Sequence, residues 1–216
     1  SSSSSSSSSS SCCCCCCCSS GGIGSSIGSG NDATGGGYGG RGGSCYAGGT
    51  GGPTYGSTST PTDIGSGGGI KQIDAKTVTF GATDVPVAAA DLEKKGQVQF
   101  PMIVGGIVPI YNLKDVNNLT LTVDILAKIY SNKITKWNDK EIQDLNANVK
   151  LPDLPIIKIR RADGSGTTYN FTKFLSEANE DWKKNYGFGP TIEWAGNTIG
   201  GKGNDGCCHL DLSFST

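Results

Sequence analysis

A change of composition at Asp63 divides the chain into a part that lacks the side chains for a core and a part that has them. Between Ser1 and Thr62 the only charged residues are Asp32 and Arg41, and the only large apolar ones are Ile23, Ile27, Tyr38, Tyr46 and Tyr55. Serine, cysteine and glycine fill most of the rest, and most of the 34 glycines lie before Gly69. Such a segment buries too little apolar surface to offset the entropy of ordering it. Residues 1–62 are therefore expected to form a disordered Ser/Cys/Gly-rich leader. From Asp63 onward, apolar runs, charges and helix signals occur at ordinary globular frequency, and residues 63–206 can bury a core.

Seven of the ten cysteines form the unbroken block Cys12 to Cys18, and the others are Cys45, Cys207 and Cys208. Neighbours in one run do not easily satisfy disulfide geometry with each other, and no metal-ligand spacing is present. The block reads as the product of a repetitive or badly read gene end, with a palmitoylation cluster as the alternative. No signal peptide is visible in this chain and it does not begin with methionine, so a processed form or a fragment is expected. The net charge of −1 gives no reason to expect nucleic acid or an acidic membrane surface as partner. The longest apolar run, Met102 to Tyr111, is broken by Gly105-Gly106 and Pro109 and falls short of the roughly 20 residues of a membrane span. It reads as a buried strand.

Along the patterned region, the glycine-rich turn from Ile64 to Gly69 opens a short helix over Ile70 to Ala75. Val78, Phe80 and Ala82 alternate as on a strand, which leaves Asp84 at its carboxyl end. Asp91 to Lys95 reads as a helix closed by Gly96. Phe100 to Tyr111 reads as a buried strand pair or one bent strand. Thr122 caps a helix over Val123 to Tyr130, and Trp137-Asn138-Asp139 leads into another carrying Ile142 and Leu145. Pro155 to Arg160 is a strand with Arg161 emerging from it. A helix then starts at Thr167 or Thr168, with Phe171, Phe174, Leu175 and Ala178 on its apolar face. This alternation predicts an α/β fold with mostly parallel sheets, in which ligands bind beyond the carboxyl ends of the strands.

Two Ser-Gly turns, one at Ser66 and one at Ser165, each stand directly before a predicted helix. A helix start offers unpaired N–H groups and partial positive charge, so it attracts anions. The hydroxyls of Ser66, Ser165 and Thr167 add donors. Either turn alone reads first as an ordinary N-cap, since Ser and Thr are favoured there. Arg161 shifts the balance, because it lies four residues before Ser165 and a guanidinium can grip an oxyanion through two parallel bonds. Asp163 is placed to hold that guanidinium, although an Arg–Asp pair can also be a surface feature of little energetic value.

Five segments together resemble the phosphate-specific substrate-binding proteins of ABC-type uptake systems, in order and in spacing. They are Ile64 to Ile73, Phe80 to Asp84, Lys133 to Asp139, Arg161 to Thr167, and Ile199 to Gly206. The resemblance implies a periplasmic-binding-protein type II-like receptor with two α/β lobes closing on one dehydrated phosphate. It implies phosphate contacts from Ser66, Asp84, Arg161, Ser165, Gly166 and Thr167, with Asp163 steadying Arg161. A membrane ABC permease is the implied partner, and a periplasmic or cell-surface location is implied. A monomer without cofactor, metal or enzymatic activity is expected.

Against that pattern the leader stands where the family has a glycine-rich segment with a Thr-Phe pair, and the chain departs from the family after Gly206. The expected organisation is a leader over 1–62, a partial first lobe over 63–98, a second lobe over 99–206 and a divergent tail over 207–216. A truncated, non-binding remnant and a surface protein displaying a reused lobe are the alternatives. Asp84 is the most discriminating residue: ionised, it accepts a hydrogen bond from protonated phosphate and meets only lone pairs on sulfate. Other patterns are weak. Gly24 to Gly28 fits G-x-S-x-G inside low-complexity sequence, the only histidine, His209, is in the tail, and no P-loop is present. Asn118 and Asn170 head glycosylation acceptor patterns.

Overall fold

The computed structural model of the chain describes residues 11–20, 24–28, 64–78, 80–103 and 106–213, and the structure below is that of these residues. In chain order the elements are β1 (Ser11–Ser20), β2 (Gly24–Gly28), α1 (Gly65–Asp74), β3 (Phe80–Thr83), α2 (Ala89–Lys95), β4 (Val98–Ile103) and β5 (Gly106–Tyr111). They continue as α3 (Val123–Tyr130), α4 (Lys140–Leu145), β6 (Ile156–Arg161), α5 (Gly166–Ala178), α6 (Glu180–Asn185), β7 (Thr198–Gly201) and α7 (Gly203–Ser213).

Two sheets organise these elements. One has the strand order β5-β1-β6-β7 and the other β3-β2-β4. In the first, β1, β6 and β7 run parallel and β5 is antiparallel to β1, as expected of a mostly parallel α/β sheet. The second is antiparallel throughout. The chain changes sheet between Ile103 and Gly106, so β4 stays with β3 in the second sheet. Phe100 to Tyr111 is thus two strands in different sheets, not a paired hairpin. Nor is the run fully buried: Phe100 and Val108 are 45% and 48% exposed. Each belongs to an edge strand, which has a neighbour on one side only.

Two stretches of the segment expected to be disordered are strands. Ser11–Ser20 pairs with β5 and β6, and Gly24–Gly28 pairs with β3 and β4, each inside its sheet. Burial of side chains was the basis of the expectation, whereas a ladder needs only backbone N–H and C=O groups, which serine and cysteine supply like any other residue. The rest of the expected leader lies outside the described residues.

The main core lies between the first sheet and the helices. Ile129, Tyr130, Trp137, Ile142, Ile159, Leu175, Trp182 and Cys207 are essentially inaccessible. Tyr130 meets Phe171 edge-on at 5.2 Å, a favoured aromatic geometry. Thr122 caps α3 by accepting from the N–H of Ile125, and Asp139 caps α4 by accepting from Glu141. Gly96 closes α2 with φ of 64°. The face of α5 differs from the apolar pattern: Phe174 is 49% exposed, while Thr172 and Ser176 are buried. Their hydroxyls donate to the carbonyls of Thr168 and Gly187, both at 2.8 Å, which removes the cost of burying them. Leu145 is likewise exposed, leaving Ile142 as the anchor of α4. Residues 203–213, including the start of the expected tail, form α7, with Cys207 in the core.

The first helix begins earlier than its sequence suggests. It runs through the glycines from Gly65, so Ser66 sits in its first turn rather than before it. Gly69 lets α1 lie backbone-to-backbone on β3, since a Cβ there would come 2.3 Å from the carbonyl oxygen of Ala82. That contact sets Ser66 beside the end of β3 and hence beside Asp84.

Candidate functional site

Strand β6 delivers Arg161 opposite Gly201 of β7. Arg161 is buried, with its side chain 2% exposed. Its Nε donates to Asp163 Oδ1 at 2.7 Å, its Nη2 donates to Asp163 Oδ2, and its Nη1 donates to Asn204 Oδ1. The N–H of Gly203 also donates to Asp163 Oδ1, at 3.1 Å. Burial pushes the Asp163 carboxyl up, but the Arg161 hydrogen bond, the Gly203 N–H and the guanidinium charge together hold it below the ordinary carboxylate value. Bidentate, with a buried guanidinium and a half-buried carboxylate that Gly203 also anchors, this is not an ordinary surface ion pair.

The turn after β6 starts α5. Ser165 is its N-cap, and its Oγ accepts from the N–H of Thr168 at 3.2 Å. The cap reading therefore holds for Ser165. It uses an acceptor lone pair and leaves the hydroxyl hydrogen to donate elsewhere. Gly166 and Thr167 form the first turn of this 13-residue helix, and Ser165, Gly166 and Thr167 are all buried. Ser66 plays a different part from the expected cap: its Oγ accepts from the N–H of Asp84 at 3.2 Å. The N–H of Gly67 donates to the carbonyl of Gly164 at 3.3 Å. The two Ser-Gly turns thus face and touch each other.

Gly166 shows how closely. A Cβ on it would lie 2.4 Å from Asp84 Cβ and 2.6 Å from Ser66 Oγ, so only glycine fits where the three segments meet. Asp84 has an unusual environment. Its Oδ1 is buried and has no hydrogen-bond partner among the described residues. Burial pushes its carboxyl above the ordinary value, opposed by the charge of Arg161. A buried acceptor left unsatisfied costs free energy, and such groups concentrate at binding sites.

All seven residues singled out in the sequence, Ser66, Asp84, Arg161, Asp163, Ser165, Gly166 and Thr167, lie on the strand end, loops and helix starts that meet here. Two further residues complete the cluster. Asn204 joins Arg161, as above. Asn170 Nδ2 donates to the carbonyls of Asp84 at 3.0 Å and Gly166 at 2.9 Å. The sequence carried a signal for each: Asn204 lies within the Ile199 to Gly206 segment, and Asn170 stands one helical turn after Gly166, on the same face. The arrangement presents a buried guanidinium, two helix starts and one unpartnered carboxylate oxygen. The guanidinium and helix starts favour an anion, and the carboxylate oxygen can accept a hydrogen bond.

Residues 52–207 match the model of a PBP superfamily domain. Over 145 residues the chain is 47% identical to a phosphate-binding protein PstS of Xylella fastidiosa and 48% identical to one of Haemophilus influenzae. Over 155 residues it is 37% identical to a phosphate-binding protein PstS of Methanocaldococcus jannaschii. Each match takes in 66% of this chain but only 40%, 43% and 40% of the respective relatives, so the chain spans about two fifths of their length. With two sheets flanked by helices, turns that meet at strand ends and a family match over most of its length, this chain belongs to the PBP superfamily.

Proposed function

We propose that this chain binds inorganic phosphate where the Ser66 and Ser165 turns meet Asp84 and Arg161, as the substrate-binding component of an ABC-type uptake system. The observation that carries the reading is the buried, unpartnered Oδ1 of Asp84 within the electrostatic reach of Arg161. A carboxylate next to an anion is repulsive unless the anion brings a hydrogen to share. Near neutral pH phosphate carries one and sulfate does not.

In this reading Arg161 supplies the formal positive charge, held by Asp163 and Asn204. The N–H groups at the starts of α1 and α5, with the hydroxyls of Ser66, Ser165 and Thr167, donate to the remaining oxygens. The three-stranded sheet with α1 belongs to one lobe, and the four-stranded sheet with α3 to α6 belongs to the other. The relatives, named as phosphate-binding proteins, support the choice of ligand. The bound anion is released unchanged, to a membrane permease on the outer side of the membrane.

Calorimetric titration of the full chain with phosphate tests the proposal. Saturable one-site binding is expected, and it is expected to disappear in Arg161→Ala. Absence of binding in a sample whose circular dichroism shows a folded α/β protein would overturn it.

A further inference from the structure

Two carbonyl oxygens from distant parts of the chain converge on one side-chain amide. Asn170 Nδ2 lies 3.0 Å from the carbonyl oxygen of Asp84 and 2.9 Å from that of Gly166. Both partners only accept, so the atom between them must be the NH₂ group, with one hydrogen for each. The bond to Gly166 is local to α5. The bond to Asp84 spans 86 residues of sequence, from α5 to the end of β3. On its other side, the N–H of Asp84 donates to Ser66 Oγ. Both backbone polar groups of Asp84 are therefore held by side chains, one from α1 and one from α5.

We propose that Asn170 is a positioning residue that clasps Asp84 to the α5 turn and so sets the discrimination between protonated and unprotonated oxyanions. The inference rests on the phosphate reading of the site. For an anion to enter between turns that touch, the Asp84 segment and the α5 turn must separate. That movement breaks the Asn170 bond to Asp84 but not the one to Gly166. The cross-segment bond therefore belongs to the clasped state alone, and it acts on the residue whose carboxylate distinguishes the two anions. Without it, Asp84 is free to turn away from the ligand. Phosphate then loses an acceptor, while sulfate is relieved of a repulsive neighbour.

The test is to titrate wild type, Asn170→Ala and the similarly sized, uncharged Asn170→Leu with phosphate and with sulfate, each also in an Asp84→Asn background. Loss of one buried hydrogen bond predicts phosphate binding about tenfold weaker. The phosphate-to-sulfate affinity ratio is expected to fall at least as much. In the Asp84→Asn background the Asn170 substitutions are expected to change phosphate affinity little, because the residue being positioned is gone. Equal weakening for both anions, or an undiminished effect in the Asp84→Asn background, would overturn the proposal. So would unfolding of both single variants in a urea titration, which would make Asn170 a structural residue. Failure of wild type to bind phosphate would instead refute the underlying functional reading.

Discussion

Asn204 accepts a hydrogen bond from Nη1 of Arg161 across 43 residues of sequence, and the two side chains are buried together. With Asp163 bound to its other nitrogens, the guanidinium is fixed in orientation by the protein's own side chains. Asn204→Ala removes a buried acceptor from a charged donor. The expected cost is about 1–3 kcal/mol of stability, read from the shift of a urea midpoint at unchanged slope, with weaker phosphate binding in parallel.

Asp163→Asn is expected to be more damaging, because it leaves the buried charge of Arg161 without its counter-ion. Breaking such a pair costs about 3–5 kcal/mol. The folded-state value of Asp163 lies below its ordinary 3.8, so its contribution is present above that value and lost as pH falls through the folded one. Wild type is therefore expected to lose the advantage over Asp163→Asn at acid pH, which paired denaturant titrations at neutral and acid pH will show.

Asp84 has the opposite sign. Its carboxyl is raised in the folded state, so its stabilising contribution is fully present below 3.8 and is lost as pH rises through the folded value. At neutral pH in phosphate-free buffer, Asp84→Asn is expected to melt at a higher temperature than wild type. The difference should shrink toward zero as the pH is lowered below 3.8. Thermal melts across that range check both the sign and the trend.

Gly166→Ala tests the close approach of the turns. Its Cβ would meet Asp84 Cβ at 2.4 Å, so either the helix start or the Asp84 segment must move. Overpacking of this kind costs about 1–3 kcal/mol. Because the displaced atoms are those of the site, phosphate affinity is expected to fall more steeply than stability, which parallel titration and unfolding experiments will separate.

Local signals were legible wherever the residues that set a structure lie close in sequence. Thr122 marked the start of α3, Gly96 the end of α2, and the apolar run before Arg161 marked β6. What was not legible depends on distant partners. Thr172 and Ser176 are core residues only because carbonyls wait for their hydroxyls, and that leaves Phe174 outside. The serine and cysteine run of β1 has no strand pattern of its own, and its strand partners lie beyond residue 105. The chemistry proposed for the site rests on Arg161, Asp84 and the two Ser-Gly turns. Its supports, Asn170 and Asn204, are ordinary polar residues until the fold places a carbonyl or a guanidinium beside them.

The most direct test is the phosphate-to-sulfate affinity ratio of wild type and Asp84→Asn, measured by calorimetry at neutral pH. A buried carboxylate that accepts from phosphate and repels sulfate predicts strong preference for phosphate in wild type. In Asp84→Asn, phosphate binding should weaken and sulfate binding strengthen. Equal affinity for the two anions in wild type, or a ratio unchanged by the substitution, would contradict the assignment of Asp84 as the group that reads the proton on the ligand.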